Sequence, residues 1–152
     1  MAGSFLDTSA LAKHYHLEPG SDEIDRQWAD SARFLFISRV GVVEAISVFA
    51  GNVRTGDLSA PAFTLLRKRF LNDVGSGRPK LVRLLVNHFK EADRLIGRHG
   101  LARRIRTLDA LQLAVALDLN RRAVIDQLVS SDKQLLSVAV AEGIPVLDTE
   151  NP

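Results

Sequence analysis

The sequence predicts an α/β fold built on a central parallel sheet with helices on both faces. Two observations predict it. Short apolar runs of strand length alternate with longer amphipathic stretches, the order that a parallel sheet with crossover helices requires. Two of these runs end at or just before an aspartate, and ligands of such sheets bind beyond the carboxyl ends of the strands.

Ser4-Phe5-Leu6 reads as a first buried strand ending at Asp7. A helical pattern runs from Ser9 to about Leu17, and Pro19-Gly20 stops it. A second helix is expected from Ser21 to Ala32, with Ser21 as its cap. Phe34 to Ser38 reads as a second buried strand. From Val40 to about Val53 the pattern is helical again, and another helix begins at Ser59 with Pro61 in its first turn. Gly75-Ser76-Gly77-Arg78-Pro79 reads as a loop. Leu81 to Val86 fits strand or helix equally, and Asn87 to Gly97 is helical. A strongly apolar helix spans Asp109 to Leu119, with Thr107 as a candidate cap. Ala123 to Ser130 holds a weak strand ending in Val129-Ser130. A helix from Asp132 to Glu142, a turn at Gly143 and the strand Ile144 to Leu147 complete the pattern.

At 152 residues the chain is large enough to bury a proper core within one domain. It has no cysteine, which excludes disulfides, thiolate zinc sites and cysteine nucleophiles. With four histidines, scattered along the chain, an imidazole-rich metal site is not expected. No apolar run reaches the roughly 18 residues that a membrane span needs, and the N-terminus lacks the pattern of a secretory signal. The expected location is the cytoplasm. The net charge of +2 hides an uneven distribution: Gly51 to Arg106 holds 13 Lys and Arg against 4 Asp and Glu. A basic surface flanking an acidic pocket lets a polyanion approach, although any single basic run is more often a solvated helix face.

Four acids interrupt or directly follow apolar runs, where an uncompensated carboxylate is costly: Asp7, Glu44, Asp109 and Asp132. Gathered at one point, carboxylates raise each other's pKa unless a cation holds them, and a hard divalent ion suits such oxygens. Each also has a structural alternative. Asp7 or Asp132 alone would serve as a helix cap, and Asp109 would favour a helix N-terminus. Glu44, inside Val-Val-Glu-Ala-Ile, is harder to explain structurally. Asp118, Asp126 and Asp148 are read as surface acids. No P-loop and no Gly-x-Ser-x-Gly elbow is present, and Ser9 stands where an aspartyl phosphatase needs its second Asp.

Five stretches together resemble the PIN-domain ribonucleases, and most of all the toxins of VapBC-type toxin–antitoxin pairs. They are Phe5-Leu6-Asp7-Thr8-Ser9-Ala10-Leu11, Glu18-Pro19-Gly20-Ser21, Val43-Glu44, Arg106-Thr107-Leu108-Asp109-Ala110-Leu111-Gln112, and Ser130-Ser131-Asp132-Lys133. The resemblance implies a three-layer α/β/α PIN-like domain over residues 1–152. It also implies a catalytic and metal-binding centre of Asp7, Glu44, Asp109 and Asp132, assisted by Ser130. Asp7 and Asp109 are the first choices as direct ligands. Where many relatives carry His after Asp-Ala-Leu, this chain has Gln112, which removes a polar contact to substrate.

The implied activity is RNA phosphodiester hydrolysis with Mg²⁺ (or Mn²⁺). Arg106, Lys13, Arg39 and Lys133 lie near the motifs and are candidate RNA contacts. The implied partners are an RNA substrate, a small antitoxin protein and a second copy of the chain in a homodimer. Apolar faces around Leu11 and on the helix from Val42 to Val53 are candidate interfaces, or else ordinary core. Two alternatives stand beside this: an RNA-processing PIN nuclease without an antitoxin, and a PIN-like module that binds RNA or protein without cutting.

Overall fold

Alternation of side chains along the strands sets up two cores, one on each face of the sheet. The computed structural model describes residues 2–152. The strands are β1 (Ala2–Leu6), β2 (Arg33–Ser38), β3 (Lys80–Val82), β4 (Gln127–Ser130) and β5 (Val146–Asp148). The helices are α1 (Thr8–Tyr15), α2 (Ser21–Ala29), α3 (Arg39–Arg54), α4 (Ala60–Ser76), α5 (Val86–His99), α6 (Thr107–Arg121) and α7 (Lys133–Ala141).

Phe5, Phe36 and Leu128 face one core with residues of α5, α6 and α7. Their strand neighbours Leu6, Leu35, Ile37 and Val129 face the other core, with Leu11 of α1, Ile24 of α2, Phe49 of α3 and Phe70 of α4. The result is the expected α/β/α sandwich, of the PIN type implied by the resemblance.

All strand pairs are parallel, in the order β3-β2-β1-β4-β5. From β1 the chain steps outward through β2 to β3, then returns to the other side of β1 for β4 and β5. The order therefore reverses between β1 and β4, and the crevice beyond their carboxyl ends is where this architecture binds ligands. Leu6 pairs with Val129 at that edge, so the segments after β1 and β4 emerge side by side.

Several boundaries differ from expectation for identifiable reasons. Helix α1 stops at Tyr15, and Leu17 beyond it is 84% exposed, so nothing rewards a further turn. Gly20, not Ser21, takes the N-cap position of α2. Its φ is 93°, and a Cβ there would meet the Thr149 carbonyl at 2.9 Å, so only glycine fits. Ser21 instead ties the turn down, its hydroxyl donating to the Lys13 carbonyl at 2.8 Å. Helix α2 ends at Ala29, short of Ala32, where the Asp30 carboxylate accepts from the Ala32 amide. Helix α4 runs through Gly75 to Ser76 and ends at Gly77 with φ 86°, which shortens the expected loop.

The ambiguous run Leu81 to Val86 divides into β3, a connection and the start of α5. Arg106, not Thr107, holds the N-cap position of α6. The last strand lies slightly later than expected, so Asp148 closes β5 rather than standing as a surface acid. Leu11 is fully buried and belongs to the core rather than to an interface. No helix is long and apolar enough to cross a membrane among the described residues.

Candidate metal centre at the sheet switch point

Asp7 directly follows β1 and caps α1, with Oδ1 accepting from the Ala10 amide at 2.9 Å. The same oxygen accepts from the Ser9 hydroxyl at 2.7 Å, and Oδ2 accepts from the Ser130 hydroxyl at 2.6 Å. Both serines also bind the turn after β4. Ser9 Oγ accepts from the Ser131 amide at 3.0 Å, and Ser130 Oγ from the Asp132 amide at 2.9 Å. The two strand-end turns are thus laced together around one carboxylate. Burial pushes the Asp7 carboxyl up to about 6, the three hydrogen bonds oppose this, and the charge of Asp132 adds to it.

Asp132 is the N-cap of α7, its Oδ1 accepting from the Gln134 and Leu135 amides at 3.0 and 3.2 Å. Capping and a place in the acidic centre are therefore compatible for Asp7 and Asp132 alike. Asp109 lies in the first turn of α6, where the helix dipole favours a carboxylate. Glu44 reaches the same space from α3, the helix that Ser38 starts at the end of β2. Burial is the leading cause that raises its pKa, and Asp109 adds to it. Gln112 holds it: Nε2 donates to Glu44 Oε1 and to Thr8 Oγ1, each at 2.8 Å. The Gln112 side chain is buried, and its own Oε1 has no hydrogen-bond partner.

One cavity of about 190 Å³ is lined by all four acids, together with Thr8, Ser9, Val48 and Arg106. A second, of about 230 Å³, adjoins it and is lined by Arg104, Arg106, Asp109 and Asp132. Among the described residues no three acidic or imidazole groups are drawn together tightly enough to chelate one ion as they stand. The nearest cation is Arg106, whose Nε donates to Asp109 Oδ2 at 2.9 Å and whose Nη2 lies 3.8 Å from Asp132 Oδ2. A guanidinium in that position, hard oxygen donors from four elements and an Asp7 carboxyl raised by burial together fit a site for a hard divalent ion. Such ions keep several waters and need few direct protein ligands.

A family model of the PIN domain matches residues 4–141. The chain belongs to the PIN-domain family. Solved structures with this fold include VapC20 of Mycobacterium tuberculosis, a toxin that cleaves the sarcin–ricin loop. It is 19% identical over 93% of this chain and 95% of that one, with a TM-score of 0.65. FitAcB of Neisseria gonorrhoeae is 15% identical, with 96% and 97% covered and a TM-score of 0.66. VapBC2 of Rickettsia felis, bound to a DNA fragment from its promoter, is 14% identical, with 96% and 98% covered and a TM-score of 0.66. At these identities the likeness establishes the fold. Comparison with curated protein sequences finds no match.

In this PIN domain the sequence-expected basic residues separate. Arg106 lines both cavities. Lys133, the first residue of α7, places its ammonium on Asp148. Arg39 is exposed at the start of α3. Lys13 is a correction: it is 4% exposed, and its ammonium is satisfied by Glu18, Glu150 and the Pro19 carbonyl, so it has no reach toward RNA. Reading the sequence left out Thr8, Ser9 and Arg104, and took Gln112 as the loss of a contact rather than as the residue that holds Glu44. Ser9 had a local signal, a hydroxyl two residues after an acid that caps a helix.

Proposed function

We propose that this protein is a metal-dependent endoribonuclease acting as the toxin of a type II toxin–antitoxin pair. The observation that supports it is the meeting of Asp7, Glu44, Asp109 and Asp132 at one cavity, at the switch point of a PIN-family sheet and beside Arg104 and Arg106. Asp7, Glu44, Asp109 and Asp132 would hold Mg²⁺ or Mn²⁺, which when bound makes water more acidic and offsets charge developing on the phosphate.

The chain's own residues do the positioning. Ser9, Ser130 and the Ala10 amide fix both oxygens of Asp7, leaving little freedom for its carboxylate. Gln112, whose amide also donates to Thr8, holds Glu44 by one carboxylate oxygen at the cavity. Arg106 and Arg104 stand where an RNA phosphate would approach, and Arg39 and Lys133 are further candidate contacts on the outer surface. The carboxylates of Asp7 and Glu44, held in this way, act without rearranging during the reaction.

The partners in this reading are RNA, a small antitoxin and a second copy of the chain. Exposed apolar side chains on α3 and α4, including Val43 at 68% and Leu65 at 70%, offer surface for a protein partner. Expression in a bacterial host tests the toxin reading. Growth arrest is expected, relieved by co-expression of a short neighbouring reading frame and absent for Asp109→Asn. Unimpeded growth with abundant folded protein would contradict it, and tight RNA binding without cleavage under any divalent ion would favour a non-cleaving module.

A further inference from the structure

Arg106 touches two of the acids assigned above to metal, and the inference drawn from it rests on that assignment. Among the described residues it is the only cation within ion-pair distance of any of the four acids. Its side chain is 64% exposed, so both contacts are screened by solvent and each is weak. A divalent ion brings twice the charge to the same oxygens, and a weak exposed contact gives way to it.

Where the guanidinium would go is defined by the second cavity. It shares Arg106, Asp109 and Asp132 with the acid cavity and adds Arg104. Arg104 is exposed and has no carboxylate within ion-pair distance among the described residues. While Arg106 lies on Asp109, its guanidinium is not free for an anion, and this wall sets its two arginines against the two acids. Once they are neutralised, Arg104 and Arg106 face the cavity as two planar donors suited to phosphate oxygens.

We propose that Arg106 is an exchangeable counter-cation: it yields Asp109 and Asp132 to a divalent metal and turns with Arg104 to hold an RNA phosphate in the adjoining cavity. Metal and RNA then bind in order, with the acids closed to phosphate until the metal is present.

The test uses the full chain, with calorimetric Mn²⁺ titration of the wild type, Arg106→Gln and Arg104→Gln. Binding of a 2′-O-methyl oligoribonucleotide is then followed by fluorescence anisotropy, in Mn²⁺ and in EDTA. Both arginines are exposed, and matching thermal melts would show that the variants fold. Arg106→Gln is expected to bind Mn²⁺ about three- to tenfold more tightly, because the competing cation is gone, while Arg104→Gln stays within about twofold. In Mn²⁺ both variants are expected to lose about fivefold or more in oligonucleotide affinity, whereas in EDTA the wild type binds weakly and Arg106→Gln changes little. Unchanged or weaker Mn²⁺ binding by Arg106→Gln would overturn the exchange, as would undiminished oligonucleotide binding by both variants in Mn²⁺. A wild type that binds no Mn²⁺ would instead sink the metal centre on which the exchange rests.

Discussion

Replacing Asp7 by Asn should stabilise the metal-free fold at neutral pH while abolishing its response to metal. Burial raises the Asp7 carboxyl from its ordinary 3.8 to about 6. Between those values the folded chain binds more protons than the unfolded one, so stability falls as pH rises. The penalty is absent below pH 3.8 and complete above about pH 6.

A displacement of that size corresponds to about 3 kcal/mol as an upper bound. The amide of Asn loses about 1–2 kcal/mol of that through a poorer match to three donors, at Ala10, Ser9 and Ser130. A net gain of about 1–2 kcal/mol remains, or about 3–6 °C in Tm for a chain of this size. Thermal unfolding followed by circular dichroism, in EDTA from pH 4 to pH 8, measures it. The two proteins should differ most at pH 7 and converge or cross near pH 4. With Mg²⁺ at 100 times its Kd the wild type should gain about 2.7 kcal/mol and Asp7→Asn almost nothing. If Asp7→Asn were the less stable protein in EDTA at pH 7, by the same margin as at pH 4, the carboxylate would not be the strained group described here.

Gln112→Leu should lower RNA cleavage about tenfold by freeing Glu44, with stability changed by less than about 1 kcal/mol because the unpartnered Oε1 is removed with the amide; cleavage rates beside urea unfolding check it. Phe49→Ala should cost about 3–5 kcal/mol in urea unfolding, since the ring is fully buried and meets Tyr15 and Phe70 edge-on. Glu91 is held down at about 2, chiefly by its hydrogen bond from Arg94. Its contribution is therefore present above its ordinary 4.5 and lost as pH falls toward 2. Glu91→Gln should accordingly flatten the acid limb of a stability–pH curve.

What was legible in the sequence follows from periodicity and from unusual polarity. Phe5-Leu6 and Phe34 to Ile37 announce strands because each face of a covered parallel sheet is apolar. The long apolar run of α6 announces a helix packed on most sides, and nine of its residues are buried. The four acids stood out because they break such runs, and the fold brings them to one cavity.

The rest depends on contacts distant in sequence. Lys13 looked like a surface cation beside a motif, but besides the nearby Glu18 it meets Glu150, 137 residues away and just beyond β5. Gln112 looked like a lost contact, and its bonds to Thr8 and Glu44 span 104 and 68 residues. Asp148 was assigned to the surface, one residue beyond the expected end of a strand whose register is set by β4. Helix ends at His16 and Asp30 were misplaced because what stops them is the absence of anything to bury.

Cleavage of a single RNA by the wild type and by Asp7→Asn, each with Mg²⁺ and with EDTA, tests the acidic centre most directly. If the four carboxylates form one nuclease centre, only the wild type with Mg²⁺ cuts. The loss in Asp7→Asn should be on the order of 100-fold or more, in a protein whose melting shows it folded. Cleavage by folded Asp7→Asn at the parental rate, or cleavage by the wild type undiminished in EDTA, would contradict it.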